Sequence, residues 1–447
     1  MRAAIVLVAC FLPAAASAHG YFPQARQVIF APGSSEPEMV VTNFGLLFPE
    51  SDGSWSWVCA PSFEGRTGRS PSAVRTDGGA LLMALDVGAV RGTVNGCEWE
   101  RASELSGMFM IDMQPDFADA SAAYVLASEA VLPNFVARWT DSEGRFVRVS
   151  SDLEPGFITE TLRIAPSDLN RWYLTGTIGS PSRVVLTRSL DAGMNWESFD
   201  VALEEGELLL LLTEIDPMDP ERLWGRVLGT DHDRFVVSTD GGQGWQTIAS
   251  LPADDTPPSY GRPAAMARGP DGVLWFGNYE SGLWRAPDGA AVEQVDMDMT
   301  VYTLQFEGNE VWVGANGYTD GFFLGRSADG DPRQAVEVIA INEIRSIRSC
   351  PGDSPVSMIC PDYWDDLLRD LQISQPEPPV GEAMDGGDDS VDAGVGAPPE
   401  GCGCRLSERP VPGTHGMLFS LSIAVLGAGR LRRRRRGSAS TASRSSG

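Results

Sequence analysis

A repeated eight-residue motif constrains the fold of this chain more than any other feature. The pattern S-x-D-x-G-x-x-W occurs in full twice, and its aspartates, Asp191 and Asp240, are about 49 residues apart. Weaker copies place the aspartate position of this template at residues 52, 94, 142, 288 and 329, so neighbouring positions are about 41 to 49 residues apart. That period is typical of a four-stranded propeller blade with its loops. Seven such units predict an all-β, seven-bladed β-propeller.

The residue types of the template are those that a tight hairpin needs. Aspartate accepts hydrogen bonds from turn amides, serine closes the other side of the turn, glycine adopts a positive φ angle, and tryptophan packs between sheets. We therefore predict that these residues hold hairpins and do not act on a ligand. The residues assigned this structural role are Ser189, Asp191, Gly193, Trp196, Ser238, Asp240, Gly242, Trp245, Asp52 and Trp57.

The same motif resembles the Asp-box, or BNR, repeat of sialidases, of photosystem assembly factors with this type of propeller, and of several secreted glycosidases. In those families the box lies away from the mouth where substrate binds. The resemblance therefore supports the propeller fold, and it implies little about activity.

The first residues have the composition of a secretory signal. Arg2 is followed by an apolar run and then by the small residues Ala14–Ala18. This order is that of a signal peptide with an A-x-A type cleavage site. We expect cleavage after Ala18 and export of the mature chain, because the apolar run is too short for a membrane span of about 20 residues.

The far end of the chain has three features in a fixed order. Cys402 and Cys404 are followed by a short apolar run, Gly416–Gly429, and then by Arg430 and Arg432–Arg436. This order resembles the MYXO-CTERM type of sorting signal found on surface proteins of myxobacteria. The resemblance implies a sorting protease in the membrane, processing at Cys402 or Cys404, and anchoring at the cell surface or outer membrane. A permanent C-terminal anchor is the alternative.

Composition separates these ends from the folded part. Residues 374–401 are rich in Pro, Gly and Asp, and such a segment cannot bury enough apolar surface to offset the entropy of ordering it. Five parts follow from this division: a signal peptide (1–18), the propeller (19–349), a disulfide loop with a short helix over Asp362–Leu371 (350–373), a disordered acidic linker (374–401) and the sorting signal (402–447).

Four cysteines remain once those of the two signals are set aside. In an oxidising compartment Cys59, Cys97, Cys350 and Cys360 should form two disulfides, and sequence allows three pairings. We favour Cys59 with Cys97, at the edges of neighbouring blades, and Cys350 with Cys360, around one loop. A Cys59–Cys350 bridge would instead join the first and last units. No CxxC pair or nearby histidine indicates a metal site.

Catalytic constellations are hard to find in the folded part. It contains two histidines, His19 and His232, too few for a Ser-His-Asp site. We interpret Asp231-His232-Asp233 as a solvated turn, and a copper site at His19 would need a second nearby histidine. The Phe/Tyr-Arg-Ile-Pro sequence that usually announces a sialidase is missing, and Leu162–Pro166 has the wrong spacing. No catalytic residue, metal or cofactor is predicted.

The charge balance limits the partners. The chain has 61 acidic and 34 basic residues, all of the latter Arg, for a net charge of -27. Nucleic acid is a poor partner for such a surface, because phosphate contacts need basic residues. We expect a monomeric, surface-anchored binding module for an unidentified extracellular glycan or protein, with a sialidase-like glycoside hydrolase as the alternative. Convergent arginines and paired carboxylates at the centre would favour the hydrolase, and an apolar or plugged channel the binding module.

Overall fold

Seven four-stranded antiparallel β-sheets surround a common axis. The computed structural model describes residues 23–65, 71–252, 264–287 and 291–373. Within these ranges each sheet is built from four strands that are consecutive in sequence, and the first sheet gains a fifth strand from near residue 345. The predicted all-β, seven-bladed propeller is confirmed.

The strands are short and follow one another through tight turns, as the repeat predicts. In chain order and blade by blade they are β1 (Ala25–Phe30), β2 (Pro37–Thr42), β3 (Gly45–Pro49) and β4 (Trp55–Cys59); β5 (Ser72–Arg75), β6 (Leu81–Leu85), β7 (Gly88–Gly92) and β8 (Trp99–Arg101); β9 (Met110–Pro115), β10 (Ala122–Ala127), β11 (Val136–Thr140) and β12 (Arg145–Arg148); β13 (Ile158–Ala165), β14 (Asp168–Ile178), β15 (Arg183–Ser189) and β16 (Glu197–Asp200); β17 (Glu207–Ile215), β18 (Leu223–Gly229), β19 (His232–Ser238) and β20 (Gln246–Pro252); β21 (Ala264–Arg268), β22 (Leu274–Asn278), β23 (Gly282–Ala286) and β24 (Glu293–Asp296); β25 (Thr303–Glu307), β26 (Glu310–Gly314), β27 (Leu324–Ser327) and β28 (Val336–Ile339); and finally β29 (Ile344–Ile347).

The first strand of each blade lies innermost. These seven strands pack side by side in chain order, and β25 packs against β1, which closes the ring. The blades are held together by apolar side chains on the faces between them. Between blades 4 and 5, for example, Tyr173 and Leu186 of one blade pack with Leu210 and Val236 of the next, all essentially buried. Burial of this kind is the main favourable term in folding.

The template positions fall at one structural location. Positions 52, 94, 142, 191, 240 and 329 all lie in the turn between the third and fourth strands of blades 1, 2, 3, 4, 5 and 7. The seventh position, Asp288, lies between β23 and β24 but outside the described residues. Within the described ranges, the spacing therefore identified this turn in six blades, even where the motif itself is degenerate.

The chain returns to the first blade after completing the seventh. β29 pairs in parallel with β4, with Ile344 opposite Trp55 and Ile347 opposite Trp57. Two α-helices follow, α1 (Pro355–Ile359) and α2 (Pro361–Asp370), and α2 confirms the predicted helix. Within the described ranges, every helix is too short or too polar to span a membrane.

The four cysteines form two disulfides, as predicted, but the favoured pairing is wrong. Cys59 is bonded to Cys360 and Cys97 to Cys350, across sequence separations of 301 and 253 residues. Sequence proximity suggested bridges between Cys59 and Cys97 and between Cys350 and Cys360. The return of the chain along β4 instead brings both late cysteines to the outer edges of blades 1 and 2. The two bridges thus fasten the last described segment to the beginning of the ring.

Several predictions concern residues outside the described ranges. The signal peptide (1–18), His19, the acidic linker (374–401) and the sorting signal (402–447), with Cys402 and Cys404, all belong to this group. These assignments stay predictions.

Candidate functional site

The axis of the ring is lined by polar side chains that join one inner strand to the next. Inner strands have no neighbouring strand on the axial side, so their backbone groups need other partners. Gln27 of β1 supplies two: its amide nitrogen donates to the Ala73 carbonyl at 2.9 Å, and its amide oxygen accepts from the Ala73 N–H at 3.1 Å. Gln305 of β25 bonds Val28 in the same way, at 3.0 and 2.8 Å. These amides act as local substitutes for a paired strand.

Asp112, on β9, joins three blades. One carboxylate oxygen accepts from the Ser72 hydroxyl at 3.0 Å and from the Met113 N–H at 2.9 Å. The other accepts from the Leu162 N–H at 2.9 Å and from Arg163 Nη1 at 2.7 Å. Asp112 is 8% exposed, and four hydrogen bonds compensate for burying its charge. It therefore fastens blade 3 to blades 2 and 4.

Glu214, on β17, is the acid of this axial network with the most altered proton affinity. Arg163 reaches blade 5, where its Nε donates to the Thr213 carbonyl at 2.9 Å. Burial raises the pKa of Glu214 to about 7, while attraction to Arg163 and Arg268 and a hydrogen bond from the Arg268 backbone N–H oppose that rise. Near neutral pH this carboxyl group can thus either hold or release a proton. Strongly shifted groups of this kind often mark functional sites.

A second charged group lies at the end of the axis where the inner strands begin. Burial, and then repulsion from Arg226, lower the pKa of Arg26 to about 10. Arg226 itself forms a buried ion pair with Asp233, at 2.6 Å. Tyr302, just before β25, stacks on Tyr279 with a ring separation of 6.0 Å. Two arginines and two tyrosines from blades 1, 5, 6 and 7 therefore surround this end.

The template residues lie away from the axis, at the opposite end of the strands. Ser189 Oγ donates to Asp191 Oδ1 at 2.8 Å and accepts from the Gly193 N–H at 2.8 Å. The Asn195 N–H donates to the same carboxylate at 2.8 Å. Hydrogen bonds, first from the Asn195 side chain, keep the pKa of Asp191 below its usual value. Trp196 is half-buried and packs on Trp172.

Blade 5 repeats this arrangement almost atom for atom. Ser238 Oγ donates to Asp240 Oδ1 at 2.8 Å and accepts from the Gly242 N–H at 2.9 Å. In blade 1, Asp52 accepts from the Ser54 backbone and hydroxyl, at 3.0 and 2.6 Å. Trp57 lies on β4, between β3 and β29, is 3% exposed, and donates from its ring N–H to the Phe44 carbonyl.

One group of side chains has the composition of a metal site. Ligand atoms of Glu204, Glu207 and His232 lie within 4.8 Å of one another. Both oxygens of Glu207 are already bonded to Arg234, at 2.6 and 2.7 Å. A cation there would compete with a guanidinium, so these residues do not fit a metal ion well. The expected solvated turn at His232 is also wrong, because the neighbouring Asp233 is 1% exposed.

The sequence motifs did not identify the axial residues as candidates for a site. Ser72, Asp112, Arg163 and Glu214 carry no local motif, because the partners of each lie on other blades. A signal was nevertheless present. These four polar residues recur at about 40 to 51 residues, close to the blade period, within otherwise apolar strands. Aligning the first strand of each unit would have placed all of them on the axis.

Comparisons with known proteins identify no family for this chain. The sequence matches no protein-family model and no curated protein. Among solved structures, an ancestral GH74 enzyme is 12% identical, with 66% of this chain and 43% of that chain covered and a TM-score of 0.47. A GH93 α-L-arabinofuranosidase of Fusarium graminearum is 10% identical, covering 55% and 87%, with a TM-score of 0.37.

A third similar structure is the Hadza microbial sialidase Hz136, which is 13% identical, with 54% of this chain and 62% of that chain covered and a TM-score of 0.37. These values are too low to carry an argument about function. The chain also spans less than half the length of the GH74 enzyme.

Proposed function

We propose that this chain is an exported, surface-anchored β-propeller that binds an extracellular glycan or protein and does not catalyse a reaction. Its third-to-fourth strand turns serve as Asp-box, or BNR, repeats that stabilise the ring. The signal peptide directs export, and the MYXO-CTERM-like segment is processed at Cys402 or Cys404 to attach the protein to the cell surface. The acidic linker (374–401) separates the propeller from the membrane.

The observation that carries the binding role is the engagement of the axial charges. The axis is charged rather than apolar, which alone would favour a hydrolase. Asp112 and Arg163, however, are already hydrogen-bonded to each other and to backbone groups of neighbouring blades. Groups held in this way are poorly suited to gain or lose protons during a reaction. Their role is to fix the ring that presents a binding surface.

Glu214 is the one observation that favours the second candidate, a glycoside hydrolase. A carboxyl group with a pKa of about 7 can donate a proton at neutral pH, as the general acid of a glycosidase must. That chemistry also requires a second carboxylate at a suitable distance. Asp112, the axial carboxylate that shares Arg163 with Glu214, already accepts four hydrogen bonds, so we rank this candidate second.

One experiment separates the two candidates. The purified full chain is applied to a glycan and peptide array and assayed with fluorogenic sialosides and other glycosides. We expect ligand binding with no turnover above background. Turnover that disappears in Glu214→Gln but persists in Glu307→Gln, another partly buried inner-strand acid, would establish the hydrolase. Glu307 is the matched control because its pKa is also raised by burial.

A further inference from the structure

A cleft of about 250 Å³ lies on the outer side of blade 4, away from the axis. One wall is the segment that connects blade 3 to blade 4 (residues 149–157), and the other is the third-to-fourth strand turn of blade 4. Asp152, Glu154 and Phe157 come from the first wall, and Met194 and Trp196 from the second. The turn that stabilises this blade therefore also forms part of a cavity.

The two walls are fixed to each other. The backbone N–H and hydroxyl of Ser151 both donate to the Gly193 carbonyl, at 2.9 and 3.1 Å. Gly193 has a φ angle of 83°, and a Cβ there would lie 2.8 Å from the Trp172 ring. Only glycine permits this close approach. Phe157 is 2% exposed and closes the inner end of the cleft. The cleft is thus preformed, which lowers the entropic cost of binding.

The cleft is electronegative. Asp152 and Glu154 are both exposed, and no basic side chain lines the cavity. Asp152 forms an ion pair with Arg148, at 2.6 Å, whereas the described residues provide no ion pair for Glu154. Trp196 also lines the cavity, and an indole ring attracts a cation that lies over its face. A positively charged group is therefore the ligand that this lining favours.

Apolar side chains border the same carboxylates. Met194 lines the cavity and is 59% exposed, and Trp196 lines it beside Met194. Methionine is flexible and polarisable, so it adapts to an aliphatic ligand. An arginine or lysine side chain combines an aliphatic stem with a cationic head, which matches apolar contacts next to carboxylates. The volume is below the range of about 300 to 1,000 Å³ for drug-sized ligands and suits one side chain.

We propose that the cleft between Glu154 and Trp196 binds an arginine or lysine side chain of a basic partner polypeptide. The guanidinium or ammonium group contacts Glu154 and Asp152, and the stem packs on Trp196 and Met194. A second copy of this chain is a poor partner, because the protein has 61 acidic residues against 34 basic ones. This inference specifies the partner of the proposed binding role and rests on that role.

The test is calorimetric titration of the purified full chain with N-acetyl-arginine amide, N-acetyl-lysine amide and the uncharged N-acetyl-norleucine amide. We expect saturable, millimolar binding of one or both cations, weakened several-fold between low and high salt by screening. Norleucine amide should bind at least about fivefold more weakly, because it lacks the charge. Equal binding of norleucine amide, or no saturation by either cation, overturns the proposal, as does binding of methyl glucoside alone.

Variants locate the binding. Glu154→Gln and Trp196→Leu should each weaken cation binding at least about fivefold, or 1 kcal/mol. Trp245→Leu is the matched control, because Trp245 is also half-buried at the same template position but does not line this cleft. It should leave the dissociation constant within about twofold. Glu154 is exposed, so Glu154→Gln keeps the test valid even if Trp196→Leu fails to fold.

The outcomes distinguish this inference from the binding role on which it rests. Unchanged cation affinity in Glu154→Gln refutes the cleft. If array ligands still bind in that case, the proposed function stands and only the cleft inference is lost. If neither array ligands nor the amides bind, the binding role itself falls.

Discussion

The two disulfides should stabilise the propeller in a non-additive way. A disulfide removes entropy from the unfolded chain in proportion to the logarithm of the loop it closes. Alone, the Cys59–Cys360 bridge closes 301 residues, worth about 6 kcal/mol in this description. With the Cys97–Cys350 bridge intact, the remaining loop is only about 48 residues, worth about 4 kcal/mol. Removing either bridge should therefore cost about 4 kcal/mol, and removing both about 10 kcal/mol.

The measurement is urea unfolding of oxidised full-chain protein, followed by tryptophan fluorescence. Trp364 of α2 lies 5.9 Å from Trp57 of β4, so the fluorescence reports directly on the fastened segment. Each double Cys→Ala variant is compared with the variant lacking all four cysteines. The latter should be close to unfolded, since domains are stable by about 5 to 15 kcal/mol. Its unfolding at the same urea concentration as the double variants would refute the reasoning.

Three further predictions concern the axis, the turns and the C-terminus. Because the pKa of Glu214 rises from 4.5 to about 7 on folding, ionisation destabilises the folded state as the pH rises through this window. Glu214→Gln should be more stable than wild type above pH 7, by up to about 3 kcal/mol, and equally stable below pH 4.5. Urea midpoints of the variant and the wild type that differ by the same amount at every pH would contradict this. Ser238→Ala removes a buried hydroxyl that is hydrogen-bonded to the aspartate and glycine of its turn. We expect the free energy of unfolding in the same assay to fall by about 2 kcal/mol. A fall below about 0.5 kcal/mol would show that the turn does not stabilise the fold. Intact-mass measurement of protein from the native host should show loss of Gly416–Gly447 and a modified Cys402 or Cys404; an intact arginine-rich end would indicate a permanent anchor instead.

The sequence predicted the number of blades because the decisive signal is local. Asp191 and its serine, glycine and tryptophan lie within eight residues, so one hairpin can be recognised without knowledge of its neighbours. Counting such hairpins at a regular period is then sufficient for the fold. Positions as weak as Ser142 fell in the correct turn because the period, rather than the residue type, placed them.

Features that depend on ring closure could not be predicted in the same way. The favoured disulfide pairing assumed that cysteines near in sequence are near in space. That assumption fails because β29 returns the chain to blade 1 and so brings Cys350 and Cys360 to the first two blades. The axial contacts share this difficulty. Asp112 bonds residues about 40 and 50 positions away, and only the circular arrangement of the blades makes them neighbours.

The bridges also determine how the folded chain would respond to pulling. Tension applied between residues 23 and 373 passes from Cys360 directly to Cys59, so the 301-residue loop between them carries none of it. Only about 50 residues could then extend, a length of about 170 Å, against about 1,200 Å for the uncrosslinked chain. Six of the seven blades lie wholly within the shielded loop. Reduction of the two disulfides would therefore allow the whole chain to extend under tension, one blade after another.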